Sequence, residues 1–181
     1  QTQISEHYTA VLPRLEAAWL TAAVQLRSRI EFQRMLEEPG DSGFPKLTAF
    51  LNAQWTLSEF SNLIVLAPNN QVIYHHGSES TVLRELAGAQ EHWIYAPQFR
   101  QLYRVYQVSI WLGKRGEGRL VLFKTLSNAT LRELVIPQTR LELVYRNLVV
   151  AESVDQLPGA NTSVLRVHLP WPQVEGGEGP V

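Results

Sequence analysis

The stretch from residue 101 to residue 126 constrains the fold more than any other. Residues 101–112 (QLYRVYQVSIWL) and 119–126 (RLVLFKTL) are β-rich runs, and the linking GKRGEG carries three glycines that permit the positive φ angles of a hairpin connection. Two strands this long, joined this tightly, pair with each other and belong at the centre of an antiparallel sheet. Side chains alternate across a strand, so Tyr103, Val105 and Trp111 face one side of that sheet and Arg104, Tyr106 and Ile110 the other.

The rest of the chain is arranged around this pair. Over residues 3–36, apolar residues recur at Tyr8, Leu12, Leu15, Trp19, Ala22, Leu26 and Ile30, the stripe of one long amphipathic helix. Pro13 has no N–H to donate and predicts a kink there, or an ordered start at that residue. EPGDSG at 38–43 ends the helix, and a second one is expected over 45–57 with Leu47, Phe50, Leu51 and Trp55 inward. NLIVLAPNNQVIYHHG (62–77) reads as a hairpin turning at Pro68-Asn69-Asn70. Ser78 or Ser80 caps a helix through residue 89, and residues 91–100 read as an irregular aromatic loop over the sheet. Ser127 or Asn128 caps another helix, which Pro137 closes. Leu141, Leu143 and Tyr145 alternate before a turn at Asn147, residues 148–154 return as a partner strand, and residues 163–169 offer a last strand. The order predicts an α+β fold, an antiparallel sheet with its helices gathered on one side. Three parts follow: a long helix with its exit loop at 1–43, a sheet-bearing core at 44–169, and a proline- and glycine-rich linker at 170–181.

Composition closes several classes of function. With 16 Lys and Arg against 17 Asp and Glu, the net charge of -1 exerts no long-range pull on nucleic acid or on an anionic membrane surface, and neither partner is expected. The absence of cysteine removes disulfides, thiolate metal sites and cysteine nucleophiles. No apolar run approaches the ~18 residues that span a bilayer. The chain starts at Gln1 and its one methionine is Met35, so it reads as a segment of a longer protein. His75 and His76 are neighbours on one strand and point to opposite faces, while His7, His92 and His168 stand alone, so no metal-ligand spacing is present. Ser127, Ser153 and Ser163 lack the glycines of a nucleophile elbow, and no pair of carboxylates converges by spacing. These residues predict no catalysis, no metal and no cofactor.

Residues 92–111, HWIYAPQFRQLYRVYQVSIW, are the one segment that reads as a binding surface. Trp93, Tyr95, Tyr103 and Tyr106 interleave with Arg100 and Arg104. A planar guanidinium beside aromatic rings is a chemistry that holds a small carboxylate, and rings with polar tips also suit an amine. The competing reading is that aromatics on a long strand are core.

Together these segments resemble the Cache family, the PAS-like sensor domains found outside the membrane in bacterial histidine kinases, chemoreceptors and diguanylate cyclases. The likeness lies in the opening helix ISEHYTAVLPRLEAAWLTAAVQLRSRI, in the first hairpin NLIVLAPNNQVIYHHG, whose Asn69-Asn70 turn lacks the usual glycine, and in the central pair YRVYQVSIWLGKRGEGRLVLFKTLSNATLREL. It covers residues 4–154, and LELVYRNLVVAES echoes the first hairpin. The resemblance implies a periplasmic sensory domain of a membrane receptor, foremost a histidine kinase, that acts as a homodimer. The long helix would continue from one transmembrane segment and the linker at 170–181 would lead toward another. Ligand contacts would come from Trp93, Tyr95, Arg100, Tyr103 and Tyr106. The family's amino-acid and dicarboxylate motifs are not evident here, so the resemblance names no ligand. An interaction or dimerisation domain without a small ligand is the other reading.

Overall fold

The computed structural model describes residues 2–37, 43–55, 60–87, 93–126, 131, 139–145, 147–152 and 163–168. Its centre is the long hairpin, β4 (Gln101–Trp111) and β5 (Glu117–Leu126), paired in register from Leu102↔Leu126 to Trp111↔Glu117. The first hairpin, β1 (Asn62–Leu66) and β2 (Val72–His76), joins through β1 against β5, and β3 (Trp93–Ala96) joins the free side of β4. All pairings are antiparallel and the order is β2-β1-β5-β4-β3. The fold class is therefore α+β, with this sheet flanked by helices.

Strand β3 replaces part of the loop expected at 91–100. Trp93, Ile94, Tyr95 and Ala96 alternate between the faces and pair with Arg104, Tyr103, Leu102 and Gln101. The strand is four residues long and is followed by Pro97, which has no N–H for a ladder. So short a pattern does not separate a strand from a loop.

The long helix also differs from expectation. α1 (Thr2–Arg27) runs through Pro13 and stops at Ser28. There Ser28 Oγ donates back to the Val24 carbonyl at 2.9 Å, and the Arg29 N–H donates to the Leu26 carbonyl at 3.2 Å, a three-residue step that tightens the turn. The break resets the phase of the stripe. α1 buries Trp19, Ala23 and Leu26, and α2 (Ile30–Glu37) then buries Phe32 and Leu36, which an unbroken helix would turn out of line. α3 (Gly43–Trp55) carries Pro45 in its first turn, where a missing N–H costs nothing, and buries Leu47 and Leu51.

These three helices cover one face of the sheet around Leu63, Val65, Leu102, Tyr106, Leu120 and Leu122. α4 (Ser80–Ala87) lies on the other face, with Leu83 among Ile64, Ile94, Tyr103, Val105 and Phe123. The helices are thus not gathered on one side. The reason is visible in β1, where Ile64 and Leu66 are as buried as Leu63 and Val65, so both faces need cover.

The last strands form a second sheet. β6 (Thr139–Tyr145) pairs antiparallel with β7 (Leu148–Glu152) through a turn in which Asn147 takes φ 65°, and parallel with β8 (Ser163–His168). The parallel ladder departs from the all-antiparallel expectation, and the stretch 146–162 is long enough for the crossover it needs. Leu141, Leu143 and Tyr145 join the helix-covered core. Charged residues fill the other side: Arg166 Nε meets Glu142 Oε2 at 2.8 Å and Arg140 pairs with Glu152. Arg140 Nε lies 3.2 Å from Glu142 Oε1 but off the hydrogen-bond direction, an ion pair without a hydrogen bond. The linker at 170–181 lies outside the described residues, as does the helix expected after Ser127 apart from Leu131, which is helical and buried.

Candidate functional site

The residues read from sequence as ligand contacts occupy three different environments. Trp93 and Tyr106 are buried on the helix-covered face, and Tyr95 is half-buried on the same side. The Trp93 ring meets Trp19 edge to face at 6.4 Å, and the Tyr106 ring meets Phe60 at 6.1 Å. Tyr103 is buried on the opposite face. Arg100 is exposed in the turn after β3, where its backbone takes φ 50° and its N–H donates to the Pro97 carbonyl at 3.1 Å. Positions 103 and 106 have opposite parity on one strand, so the five side chains do not line a common recess.

On the helix-covered face the polar residues form a clamp between α1 and β4. Arg104 Nε donates to Glu16 Oε1 at 2.8 Å, and Arg104 Nη1 donates to the Val105 carbonyl at 2.8 Å. The guanidinium carbon sits 4.9 Å from the Tyr106 ring centre and 6.0 Å from that of Trp93. Tyr106 O–H donates to the Glu16 carbonyl at 3.2 Å, and Lys124 Nζ stands 5.6 Å over the Trp19 ring. Further along, Arg27 Nη1 donates to the Ser109 carbonyl at 3.4 Å. From Glu16 to Arg27 the helix rises about 16 Å, and from Arg104 to Ser109 the strand rises about 16 Å. The matched spans mean that α1 lies in step along β4.

On the other face a hydrogen-bonded chain joins four elements. Tyr103 O–H donates to Glu79 Oε2, whose residue immediately precedes α4. Asn62, at the start of β1, accepts from the Glu79 N–H at 3.3 Å, reaches Glu79 Oε2 at 3.5 Å and donates to Ser61 Oγ at 3.2 Å. Thr125 of β5 donates to Ser61 Oγ at 2.6 Å, and Ser61 Oγ donates to the Phe123 carbonyl at 3.1 Å. Beside it, His75 Nδ1 is 3.1 Å from Ser80 Oγ, which donates to the Gly77 carbonyl at 2.9 Å. Gly77 takes φ 96°, and a Cβ there would overlap Asn62 Oδ1 and crowd the Ser61 carbonyl. Only glycine lets Asn62 close the network.

Sequence reasoning missed Ser61, Asn62, Glu79 and Thr125, and named Ser80 only as a helix cap. One signal was present: Asn62 opens an otherwise wholly apolar strand, NLIVL, and a buried amide needs partners.

Burial, reinforced by the Glu79 carboxylate, holds the Tyr103 hydroxyl far above the usual phenol range and keeps it a donor. Burial also raises Tyr74, against the opposing hydrogen bond of Thr48 at 2.9 Å. It lowers His76, helped by the neighbouring His75, and the His76 ring stacks on Tyr74 with centres 6.5 Å apart. Among the described residues no group of three or more His, Asp or Glu side chains could hold a metal ion. An open recess of about 620 Å³ lies at the end of the sheet where the β1–β2 turn meets the β4–β5 turn. Apolar Phe44, Pro68, Val72 and Ile73 and polar Asn69, Gln71 and Arg115 line it, and none of the five sequence-predicted contacts does.

These features define an α+β protein in which one strand, β4, is fastened to a long helix on one face and to the root of a short helix on the other. No family model matches the chain, no curated protein matches its sequence, and no solved structure matches its fold.

Proposed function

We propose that this chain is the periplasmic sensory domain of a transmembrane signalling protein, foremost a histidine kinase, that binds a small ligand and passes a conformational signal through α1 and the chain beyond β8. A diguanylate cyclase or a chemoreceptor is the same reading with a different output module. The observation that carries it is the fastening of β4. Tyr103 reaches through Glu79 to α4, while Arg104 and Tyr106, next along the strand, reach α1. A ligand shifts an equilibrium only through unequal affinity for two arrangements, and contacts on both faces of one strand offer a route by which a change at α4 would reach α1. The resemblance to Cache domains supports the same reading, because the segments that carry it form α1, the first hairpin and the central pair.

A second reading, an interaction or dimerisation domain without a small ligand, is favoured by the closed packing of Trp93, Tyr103 and Tyr106.

The test is made in the parent protein. Hydrophobic segments on both sides, a kinase, cyclase or chemoreceptor module downstream and a periplasmic topology-reporter signal are expected. Glu16→Gln, which loosens the clamp without touching α4, is expected to change basal output. A cytoplasmic reporter signal, or unchanged output, refutes the sensory reading. Calorimetry that finds no small ligand, together with concentration-dependent dimerisation, selects the second.

A further inference from the structure

We propose that the recess between the β1–β2 turn and the β4–β5 turn binds a small organic anion, a carboxylate carrying an aromatic or branched apolar body. The site is distinct from the aromatic segment of β3 and β4, and the proposal does not depend on the sensory reading.

The size and the walls fit such a ligand. A volume of about 620 Å³ falls within the range of small-molecule sites, roughly 300–1,000 Å³. Phe44, Pro68, Val72 and Ile73 offer apolar surface, and Arg115 lines the same recess. The Arg115 guanidinium has no hydrogen bond or ion pair among the described residues, so its fork of donors is open to a carboxylate. Two of the three glycines of GKRGEG acquire a role here. Gly113 (φ 60°) and Gly116 (φ 86°) bracket a single 3-10 turn that holds Arg115, and Gly116 packs next to the Pro68 ring.

The surrounding charge points the same way. Arg119 donates to Asn70 Oδ1 and to Gln107 Oε1, and Arg84 donates to the Asn70 carbonyl at 3.0 Å. Both guanidinium groups are held by neutral oxygens, so their positive charge is not cancelled. The acidic neighbours, Glu37 against Gly113 and Glu117 at the start of β5, form no ion pair with them among the described residues. Three arginines therefore surround the turn with no carboxylate bound to any of them among the described residues.

The floor is already ordered. The Ala67 N–H donates to the Gln71 carbonyl at 2.9 Å, the Asn70 N–H to the Ala67 carbonyl at 2.9 Å, and the Gln71 N–H to Asn69 Oδ1 at 3.1 Å. Asn70 adopts φ 66°, and Pro68 fixes its own φ. A ligand meets a built turn and loses little affinity to ordering it.

Titration calorimetry on the chain with phenylacetate and with 4-methylpentanoate tests the proposal, using phenylacetamide as the uncharged analogue and inorganic phosphate as the anion without an apolar body. At least one of the two carboxylates is expected to bind with a dissociation constant on the order of 0.1–1 mM. Phenylacetamide and phosphate are expected to bind at least about tenfold more weakly, because each lacks half of the recognition. Arg115→Gln, at an exposed position, is expected to leave the melting temperature unchanged and to weaken the carboxylate about tenfold or more, Arg115→Lys to restore part of it, and Arg14→Gln on α1 to change nothing. Equal affinity for phenylacetamide removes the role of charge, and equal affinity for phosphate removes the role of the apolar wall. Affinity unchanged in Arg115→Gln, or no binding of either carboxylate at about 10 mM, overturns the proposal.

Discussion

Replacing Arg104 with methionine probes the clamp between α1 and β4 directly. Methionine keeps an unbranched stem and loses the guanidinium, so the bond to Glu16 at 2.8 Å, the bond to the Val105 carbonyl and the contact with the Tyr106 ring at 4.9 Å all disappear. A charge-assisted hydrogen bond contributes about 1.5–3 kcal/mol, and a cation over an aromatic ring about 0.5–2 kcal/mol. The Arg104 and Glu16 side chains are 17% and 28% exposed, so water screens part of each term. The low ends apply, and the expected loss is about 2–3 kcal/mol. For a chain of this size that lowers the melting temperature by about 4–12 °C. Glu16→Gln preserves the ring contact and a neutral hydrogen bond, and is expected to lose about 1 kcal/mol. The two changes share one interaction and are therefore not additive. A double-mutant cycle, read by denaturant unfolding with tryptophan fluorescence, is expected to give a coupling of about 1 kcal/mol. Raising the salt concentration should shrink it only modestly, since partly buried pairs are weakly screened. A coupling below about 0.3 kcal/mol would show that the contact holds nothing together, and the reasoning about α1 would fall with it.

Other positions give independent tests. At Gly118 a Cβ would overlap both the Leu66 carbonyl oxygen of the neighbouring strand and the Leu112 side chain, so Gly118→Ala should cost about 3 kcal/mol or more, and a melting temperature within about 2 °C of the parent contradicts the β1–β5 packing. Tyr103→Phe leaves the Glu79 carboxylate short of a donor, at a cost of about 1–3 kcal/mol in denaturant unfolding. The same variant should remove the latest-ionising component from the alkaline phenolate titration; an unchanged titration curve contradicts the burial of that hydroxyl. Burial, then His75, hold His76 below the ordinary imidazole value of about 6.5, so the unfolded chain takes up that proton first as pH falls. Stability should accordingly be intact above about pH 6.5 and decline below it, and His76→Gln should flatten that decline; parallel pH profiles of variant and parent rule out His76 as its source.

The hairpins were legible because their signals are local. The β-rich runs NLIVL and VIYHH flanking a Pro-Asn-Asn turn, and the glycine-broken run from 101 to 126, each fix an antiparallel pair within a few residues of its turn. The end of α1 was not legible, since Ser28 breaks the helix where Phe32 and Leu36 must reach a core that lies elsewhere in the sequence. The direction of β8 was equally hidden, being a choice of partner made across a long connection. For the candidate site, alternation separated Tyr103 from Tyr106 correctly, yet no periodicity links Tyr103 to Glu79, which lies 24 residues away, or Arg104 to Glu16, which lies 88 away. The GKRGEG turn read as a plain connection for the same reason: Arg115 becomes part of a recess only when that turn meets Pro68.

The arrangement around β4 follows from where its neighbours end. β3 pairs with β4 only as far as Arg104, while β5 pairs with it along nearly its full length. Among the described residues the outer edge of β4 beyond Arg104 has no strand of its own sheet beside it, and β7 of the second sheet touches β4. Helix α1 spans the same region, from Glu16 opposite Arg104 to Arg27 opposite Ser109. A shift of β4 is therefore resisted by α1 from Arg104 onward, and by β3 and the Glu79 network over its first residues. Strands are stiff along their length and slide or tilt more readily than they stretch. The Arg104–Glu16 contact in the first half of β4 and the Arg27–Ser109 contact near its end tie α1 to the strand at two separated points, so a displacement of either element strains the contacts of the other.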